Sequence, residues 1–484
     1  MELIRRAYAT TRWERRHPWS LVGALTLPFA DREVVVLALV TVLASWTTST
    51  TMVVGGCMCS LPIAVLARRQ RLWMACLLVG LLAAAHAHGS WAAARPQQLG
   101  PYAGWVTLVG DPTPIGAGVR ITVEIEGQRF DAWLYGGTRR RVLDRQSGQE
   151  LAVVGERRPL GANARRAQVR HVVGRFELGF VGDWSPGSRL ALVNTRIREA
   201  LRRAAEHAMP VSQAALFTGL VIGDDLRQPR ETVQSFRAAG LSHLTAVSGQ
   251  NVAFVLAAAA PLLRRLRAGP RWTATVGLVV WFMALTRFEP SVLRAGFMAI
   301  LAATAFVLGR RQQPLRLLCL TVMVLVLLDP LLVWSVGFWL SAGATGGVIV
   351  AGPRLAQRLP GPGWFTTPLG ITLGAQIGVA LPSLLVFGRL PLVSVPANLL
   401  AVPVGGFVML YGLPAGLVAA ALPPINSAVM FPAVVGTRWV ETVADLAARF
   451  EPGPAWTVPG WCAIGLIVGA LARRSRDAPA DVPI

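Results

Sequence analysis

The chain has 484 residues, of which 53% are hydrophobic and only 15% charged, and its mean hydropathy is +0.50. Soluble domains carry about 25% charged residues, so an ordinary water-soluble globular protein is excluded; it would have nowhere to bury so much apolar sequence. The net charge is +22 and every basic residue is Arg, an excess that suits cytoplasmic anchoring of membrane helices and attraction of a polyanion.

In chain order, residues 1–32 hold Arg5, Arg6, Arg12, Arg15, Arg16 and Arg32 and are expected to form a cytoplasmic tail. Residues 33–94 contain two short apolar stretches within 34–66, a basic break at Arg68, Arg69 and Arg71, and a third stretch at 72–89. Basic loops stay in the cytoplasm, so three crossings leave residue 95 outside. No small-residue cleavage site follows a short apolar run, and a cleavable signal peptide is not expected. Cys57, Cys59, Cys76, Cys319 and Cys462 all lie in apolar segments, which predicts packing residues rather than a disulfide framework.

Residues 95–192 change character. Pro, Gly and Arg rise, and runs such as VRITVEIEG alternate β-branched and polar residues, the pattern of half-buried strands. Several short strands in one compact stretch predict a small β-barrel with an OB-like arrangement, placed outside the cytoplasm. Residues 193–240 follow with amphipathic sequence; Ile197, Leu201, Ala204 and Ala208 share one helical face, which predicts helices lying at the membrane interface.

From 241 to 472 the chain is apolar again, with basic breaks at Arg264, Arg265 and Arg267, at Arg310 and Arg311, and at Arg354 and Arg358. An odd number of crossings puts these breaks and the Arg-rich 473–484 tail inside. Whether 425–447 spans or lies on the surface stays open, because its second half is amphipathic. The expected fold is a polytopic α-helical membrane protein of roughly 11–12 spans with a small extracytoplasmic OB-like β-barrel insert.

The most unusual stretch is 236–255, FRAAGLSHLTAVSGQNVAFV. Ser242, His243, Thr245, Ser248, Gly249, Gln250 and Asn251 interrupt an apolar segment. Polar groups cost free energy inside a bilayer unless paired or hydrated, and broken helices are tolerated there where they line a cavity. A polar helix–helix contact is the simpler alternative; the density of polar positions favours the cavity. Arg294 sits in an apolar helix shortly after Pro290, and either faces protein, water or an anion or snorkels to the outer interface. Asn398, inside an apolar run, bonds across helices or lines a pore. Asp224, Asp225 and Asp329 are candidates for structural roles or weak cation contacts. Asp329 precedes Pro330, which favours a turn. In the insert, Arg139, Arg140, Arg141, Arg157 and Arg158 lie close in sequence to Trp133 and Tyr135. Arg with aromatics is the composition of single-strand binders, which neutralise phosphates and stack bases.

The segment LFTGLVIGDD…FRAAGLSHLTAVSGQNVAFV resembles the ComEC-type competence protein family in Gly240, His243, Leu244, Ser248 and Gly249, with Asn251 where many members have a second His. EPSVLRAGFMA (289–299), LLDPLLVWSVGFWLSAGATGG (327–347) and VSVPANLLAVPVGGFVML (393–410) are similar, in order, to its further motifs. The resemblance runs from about residue 34 to 472. It implies an inner-membrane channel importing single-stranded DNA during natural transformation. The partners it implies are an extracellular DNA receptor, a cytosolic translocase or helicase and a separate nuclease. His243, Thr245, Ser248, Gly249, Gln250, Asn251, Arg294 and Asn398 are the expected path residues. The metallo-β-lactamase-like domain of many members needs a His-x-His-x-Asp-His cluster that this sequence lacks, so nuclease activity, a bound metal and a cofactor are not expected. A phosphate-binding loop of the form G-x-x-x-x-G-K-[ST] is impossible without Lys. The alternative is a transporter of a small or lipidic anion on the same fold.

Overall fold

A computed structural model describes residues 29–47, 51–52, 54, 70–161, 164–224, 227–245, 249–310 and 313–477, with the backbone alone at 454 and 472–477. The expected 1–28 portion of the tail, Cys57, Cys59, Arg68 and Arg69 lie outside the described residues.

Two helices open the described chain, α1 (Asp31–Thr47) and α2 (Gln70–Ala93). A β unit follows: β1 (Gly100–Leu108), β2 (Thr113–Ile115), β3 (Gly118–Ile125), β4 (Gln128–Leu134), helix α3 (Gly136–Val142), β5 (Glu150–Pro159), a short α4 (Ala164–Gln168) and β6 (Val172–Ser185). The strands alternate because alternate side chains enter one core: Val119, Ile121, Val123 and Ile125 of β3 are buried, with polar residues between them. The pairings form a closed circuit. β1 pairs with β5, β5 with β6, β6 with β4, β4 with β3, and β3 returns to β1 at Thr107 and Leu108. Only the β4–β6 pair is parallel; the others are antiparallel. The β1–β3 contact that closes the circuit covers two residue pairs, Thr107 with Glu124 and Leu108 with Val123.

The remainder is helical: α5 (Arg189–Ala208), α6 (Val211–Ile222), α7 (Arg230–Ala238), α8 (Ser242–Thr245), α9 (Gly249–Leu263), α10 (Ala268–Leu285), α11 (Pro290–Val307), α12 (Pro314–Leu328), α13 (Val336–Val350), α14 (Gly352–Arg358), α15 (Gly363–Phe387), α16 (Ser394–Ala421), α17 (Asn426–Phe450) and α18 (Thr457–Asp477). Among the described residues, five helical stretches are long and apolar enough to cross a bilayer: Gln70–Ala93, Pro290–Val307, Val336–Arg358, Gly363–Phe387 and Ser394–Ala421. Their outward surfaces are what lipid requires. On α15, Ile377, Leu381 and Leu385 recur every fourth residue and are exposed, an apolar stripe that water would penalise. The protein is a mostly helical, multi-pass membrane protein.

One expectation is corrected. The apolar face of α5 does not lie on lipid, because protein covers it. Leu201, Ala204 and Ala205 are buried in the largest core, shared with Phe217 of α6, Met409 of α16 and Met430 of α17. Asn426 of α17 donates from Nδ2 to the Ala204 carbonyl at 3.1 Å. α6 is enclosed even more fully: Ala214 through Ile222 are all buried. α17 likewise turns Met430, Ala433, Gly436, Val440 and Ala444 inward, and its charged C-terminal half bonds to α6 through Gln213 Nε2, which donates to Glu441 Oε2 at 3.0 Å.

The β unit is tied to the helices at defined points. Asp111, in the β1–β2 connection, receives Arg198 of α5 at 3.0 Å and also Arg287 of the α10–α11 turn. Burial pushes the Asp111 carboxyl above the usual carboxylate range, and Arg198 pulls it back. Elsewhere His171, before β6, pairs with Asp329 at 2.9 Å.

Candidate functional site

The polar cluster of 242–251 is divided between α8 and the start of α9; Ser248 lies outside the described residues, as does Asp225. His243 and Gln250 lie at the surface of the protein, whereas Thr245 and Asn251 are buried. The Thr245 hydroxyl donates to the Ser242 carbonyl at 3.1 Å. Asn251 donates from Nδ2 to the Leu220 carbonyl at 3.1 Å, fixing α9 against α6.

The approach to α8 is set by Gly240. The Leu241 N–H bonds to the Phe236 carbonyl at 2.8 Å and the Gly240 N–H to the Arg237 carbonyl at 3.3 Å, the paired bonds that close a helix through a left-handed residue. Gly240 has φ +71°, and a Cβ there would stand 2.6 Å from Ser394 Cβ. Glycine is therefore required both by conformation and by the proximity of α16.

Gly249 has a different neighbour. A Cβ on it would lie 2.8 Å from Ala295 Cβ and 2.9 Å from Arg294 Nη2. α9 thus passes close over α11 at the point where Arg294 projects. Arg294 is 6% exposed. Its Nε donates to Ser341 Oγ on α13 at 2.9 Å, and its Nη1 lies 3.5 Å from Met298 Sδ. Among the described residues no carboxylate pairs with it; the ion pairs of the helical region are made by other arginines, such as Arg316 with Asp31. Of the two placements open from sequence, the side chain turns inward rather than to the outer interface. A guanidinium stays ionised at any ordinary pH, and inside an apolar bundle its charge is costly unless water or an anion meets it.

Asn398 is in a separate group. Its Nδ2 donates to the Ser394 carbonyl at 2.6 Å, one turn back on α16. Ser394 Oγ accepts from Gln376 Nε2 of α15 at 3.0 Å and donates to the Pro391 carbonyl at 2.6 Å. Among the described residues no hydrogen bond joins this group to Arg294. Gly240 borders it and Gly249 borders Arg294, so the two glycines of the 236–255 stretch each abut a polar group on another helix.

Asp329 and Asp224 have structural positions. Asp329 Oδ1 accepts from the Leu331 N–H at 3.0 Å while Oδ2 holds His171. Asp224 lies 3.5 Å from Arg198. Among the described residues no group of three or more His, Cys, Asp or Glu is placed to hold a metal ion.

The basic residues of the β unit do not form one surface. Arg139 donates to the Ala117 carbonyl at 3.2 Å, Arg140 is exposed, and Arg141 donates to the Val181 carbonyl at 2.7 Å, all on α3. Trp133 and Tyr135, 42% and 60% exposed, lie just before them. Arg157 and Arg158 are on β5, two strands across from β4 through β6, and about 17–20 Å along β6 from the Val181 that Arg141 contacts. Arg157 is corrected as a candidate: only 8% exposed, it pairs with Glu126 at 2.9 Å and lies over the Tyr102 ring. Arg158 pairs with Glu156 and Glu177. Sequence reasoning missed Ser341, Ser394, Gln376, Asp111, Arg198 and Arg287. Ser341 was within reach, because it closes the Gly-Phe-x-Leu-Ser segment at 337–341; nothing local marks Asp111 or Gln376.

A closed β unit set on a bundle of apolar helices, with an inward arginine at a close helix crossing, defines a polytopic membrane protein with polar groups buried at its helix contacts. The family model described as "Competence protein" matches residues 220–475, more than half of the chain, and the chain belongs to that family, of the ComEC type. It is 29% identical over 218 residues to ComE operon protein 3 of Bacillus subtilis, covering 44% of this chain and 27% of that protein. It is 29% identical over 282 residues to competence protein ComA of Neisseria gonorrhoeae, covering 56% and 40%. With recombination protein 2 of Haemophilus influenzae the identity is 23% over 304 residues, covering 59% and 38%. The chain therefore spans well under half the length of each of these relatives. No solved structure matches it.

Proposed function

We propose that the helical region forms a membrane path for single-stranded DNA entering the cell in natural transformation. A role in DNA uptake follows from the competence family, and the channel reading rests on one observation above all: Arg294, buried without a carboxylate partner among the described residues, faces Gly249 and Ser341 inside the bundle. A phosphate is the counter-charge such a group lacks, and a polyanion needs a hydrated route through apolar helices.

In this reading the shorter apolar helices also cross, giving roughly 11–12 spans, with both termini cytoplasmic by the distribution of Arg. The β unit is an OB-like barrel outside the cytoplasm; its closed circuit of pairings, with a single parallel pair and a helix between β4 and β5, supports that assignment. The chain acts in transport rather than catalysis. An extracellular receptor, a cytosolic translocase or helicase and a separate nuclease supply capture, driving energy and strand degradation.

The test is genetic. A deletion strain receives labelled DNA, and surface binding is separated from entry into the cytosol. The expected result is normal binding with entry abolished, restored by the wild-type gene and not by R294Q. Normal entry in the deletion strain overturns the proposal and leaves a small-anion transporter as the better reading.

A further inference from the structure

We propose that the outer face of the β unit carries a base-stacking slot for a single nucleic-acid strand, built from Phe180 and Trp184 of β6 with Arg141 and Arg145 beside them. This rests on the DNA-uptake reading for the identity of the strand, and of its four residues only Arg141 is among those the sequence pointed to.

Besides Trp133 and Tyr135, three large rings of the β1 and β6 strands are left outside the core of this small unit: Phe180 is 55% exposed, Trp184 46% and Trp105 52%. The strand register places Phe180 and Trp105 on one surface. Val154 of β5 pairs with Ala103 of β1 and with Phe180 of β6, and Ala152 pairs with Trp105. Beside Ala152 stands Gly182, whose built Cβ would be 3.6 Å from Ala152 Cβ. The floor between Trp105 on one strand and the β6 rings two strands away is therefore made of small residues. Two strand spacings are about 10 Å, a gap open to a planar ring.

On the β6 side of this floor, toward α3, lies an open cleft of about 490 Å³ lined by Arg141, Arg145, Leu151 and the Phe180–Trp184 stretch of β6. Arg145 places its guanidinium 4.2 Å from the Trp184 ring centroid, and Arg141 lies 6.0 Å from that of Phe180. Arg141 is held in place by its bond to the Val181 carbonyl. The register shifts between Leu151 and Val153, so Trp184 stands opposite Leu151 and Phe180 opposite Val154, and both rings line the cleft. Asp183 is the single acid in the lining, against two arginines. Exposed rings with adjacent guanidinium groups match what a single strand presents, flat bases joined by phosphates. A lipid-inserting face would carry its charges away from the ring tips; here they lie against the ring faces.

The test uses the full chain in lipid nanodiscs and measures binding of oligo-dT against an abasic oligonucleotide of equal length, which has the same phosphates and no bases. The expected preference of the wild type for oligo-dT is about tenfold or more. F180A and W184A should each collapse that preference while leaving affinity for the abasic strand within about twofold, which also reports that the unit is folded; W184F should keep it. Equal binding of the two oligonucleotides by the wild type overturns the slot, as does an undiminished preference in W184A. Quenching of Trp184 emission by brominated lipid, lost in W184F, overturns it in favour of a bilayer contact. A missing preference in a protein that is still required for DNA entry removes the slot alone; an intact preference in a protein dispensable for entry removes the transport reading alone.

Discussion

Arg287 reaches Asp111 from a left-handed backbone position. The Phe288 N–H bonds to the Met283 carbonyl at 2.8 Å and the Arg287 N–H to the Ala284 carbonyl at 3.2 Å, so Arg287, with φ +62°, fills the helix-closing position that normally belongs to glycine. A side chain at that position is strained, and what it provides is the ion pair. Asp111 is shared with Arg198 of α5 and accepts the Ser147 N–H at 2.8 Å. One carboxylate thus joins the β unit to two separate helical segments.

Removing that carboxylate should cost more than removing Arg287, whose loss also relieves backbone strain. D111N takes the shared counter-charge from half-buried Arg287 and leaves buried Arg198 only Asp224 at 3.5 Å, a loss of about 3–5 kcal/mol. R287G loses one ion pair but relaxes the left-handed residue, which returns about 1 kcal/mol. Thermal unfolding in detergent should rank wild type above R287G and R287G above D111N; D111N as stable as the wild type would show that the junction is held elsewhere.

The crossing of α9 over α11 depends on Gly249. G249A places a methyl group against Ala295 and the Arg294 guanidinium, and overpacking of this kind costs about 1–3 kcal/mol. DNA entry should fall in G249A although the folded protein still reaches the membrane at near-normal levels. Normal entry would mean that the two helices separate without consequence.

Arg294 should tolerate no neutral replacement. R294Q retains hydrogen-bonding capacity toward Ser341 but not the charge, and R294K retains the charge without the planar fork. We expect R294K to keep a measurable fraction of DNA entry and R294Q to lose it, with S341A intermediate. Equal entry in R294Q and wild type would reduce Arg294 to packing.

Gly240 is expected to be sensitive for a reason unrelated to charge. G240A forces a Cβ into a left-handed residue and onto Ser394; the conformational part alone costs about 1–2 kcal/mol. Its midpoint of thermal unfolding should drop by more than that of A239G, a control that changes the neighbouring residue without requiring positive φ.

Much of the architecture was legible in the chain. Alternation in VRITVEIEG marks β3 because a strand with one buried face must alternate, and the long apolar runs of α15 and α16 announce bilayer-length helices. The 194–208 stripe was legible as an apolar face but not as to what covers it: lipid and the side chains of α16 ask for the same residues. Arg157 was misleading for a similar reason. A run of arginines suggests a surface, and the Glu126 and Tyr102 that draw this one inward arrive from other strands.

By itself, the sequence determined membrane character, the strand-rich insert and the polar interruption at 242–251, since these depend on hydrophobic periodicity and local composition. Tertiary structure alone decided which groups meet. Gly249 against Arg294, Arg294 with Ser341, Asp111 between Arg198 and Arg287, and Phe180 beside Trp184 on an open face are fixed by helix crossings and strand register. Apart from the last, these contacts join residues dozens of positions apart, and no local pattern can encode them.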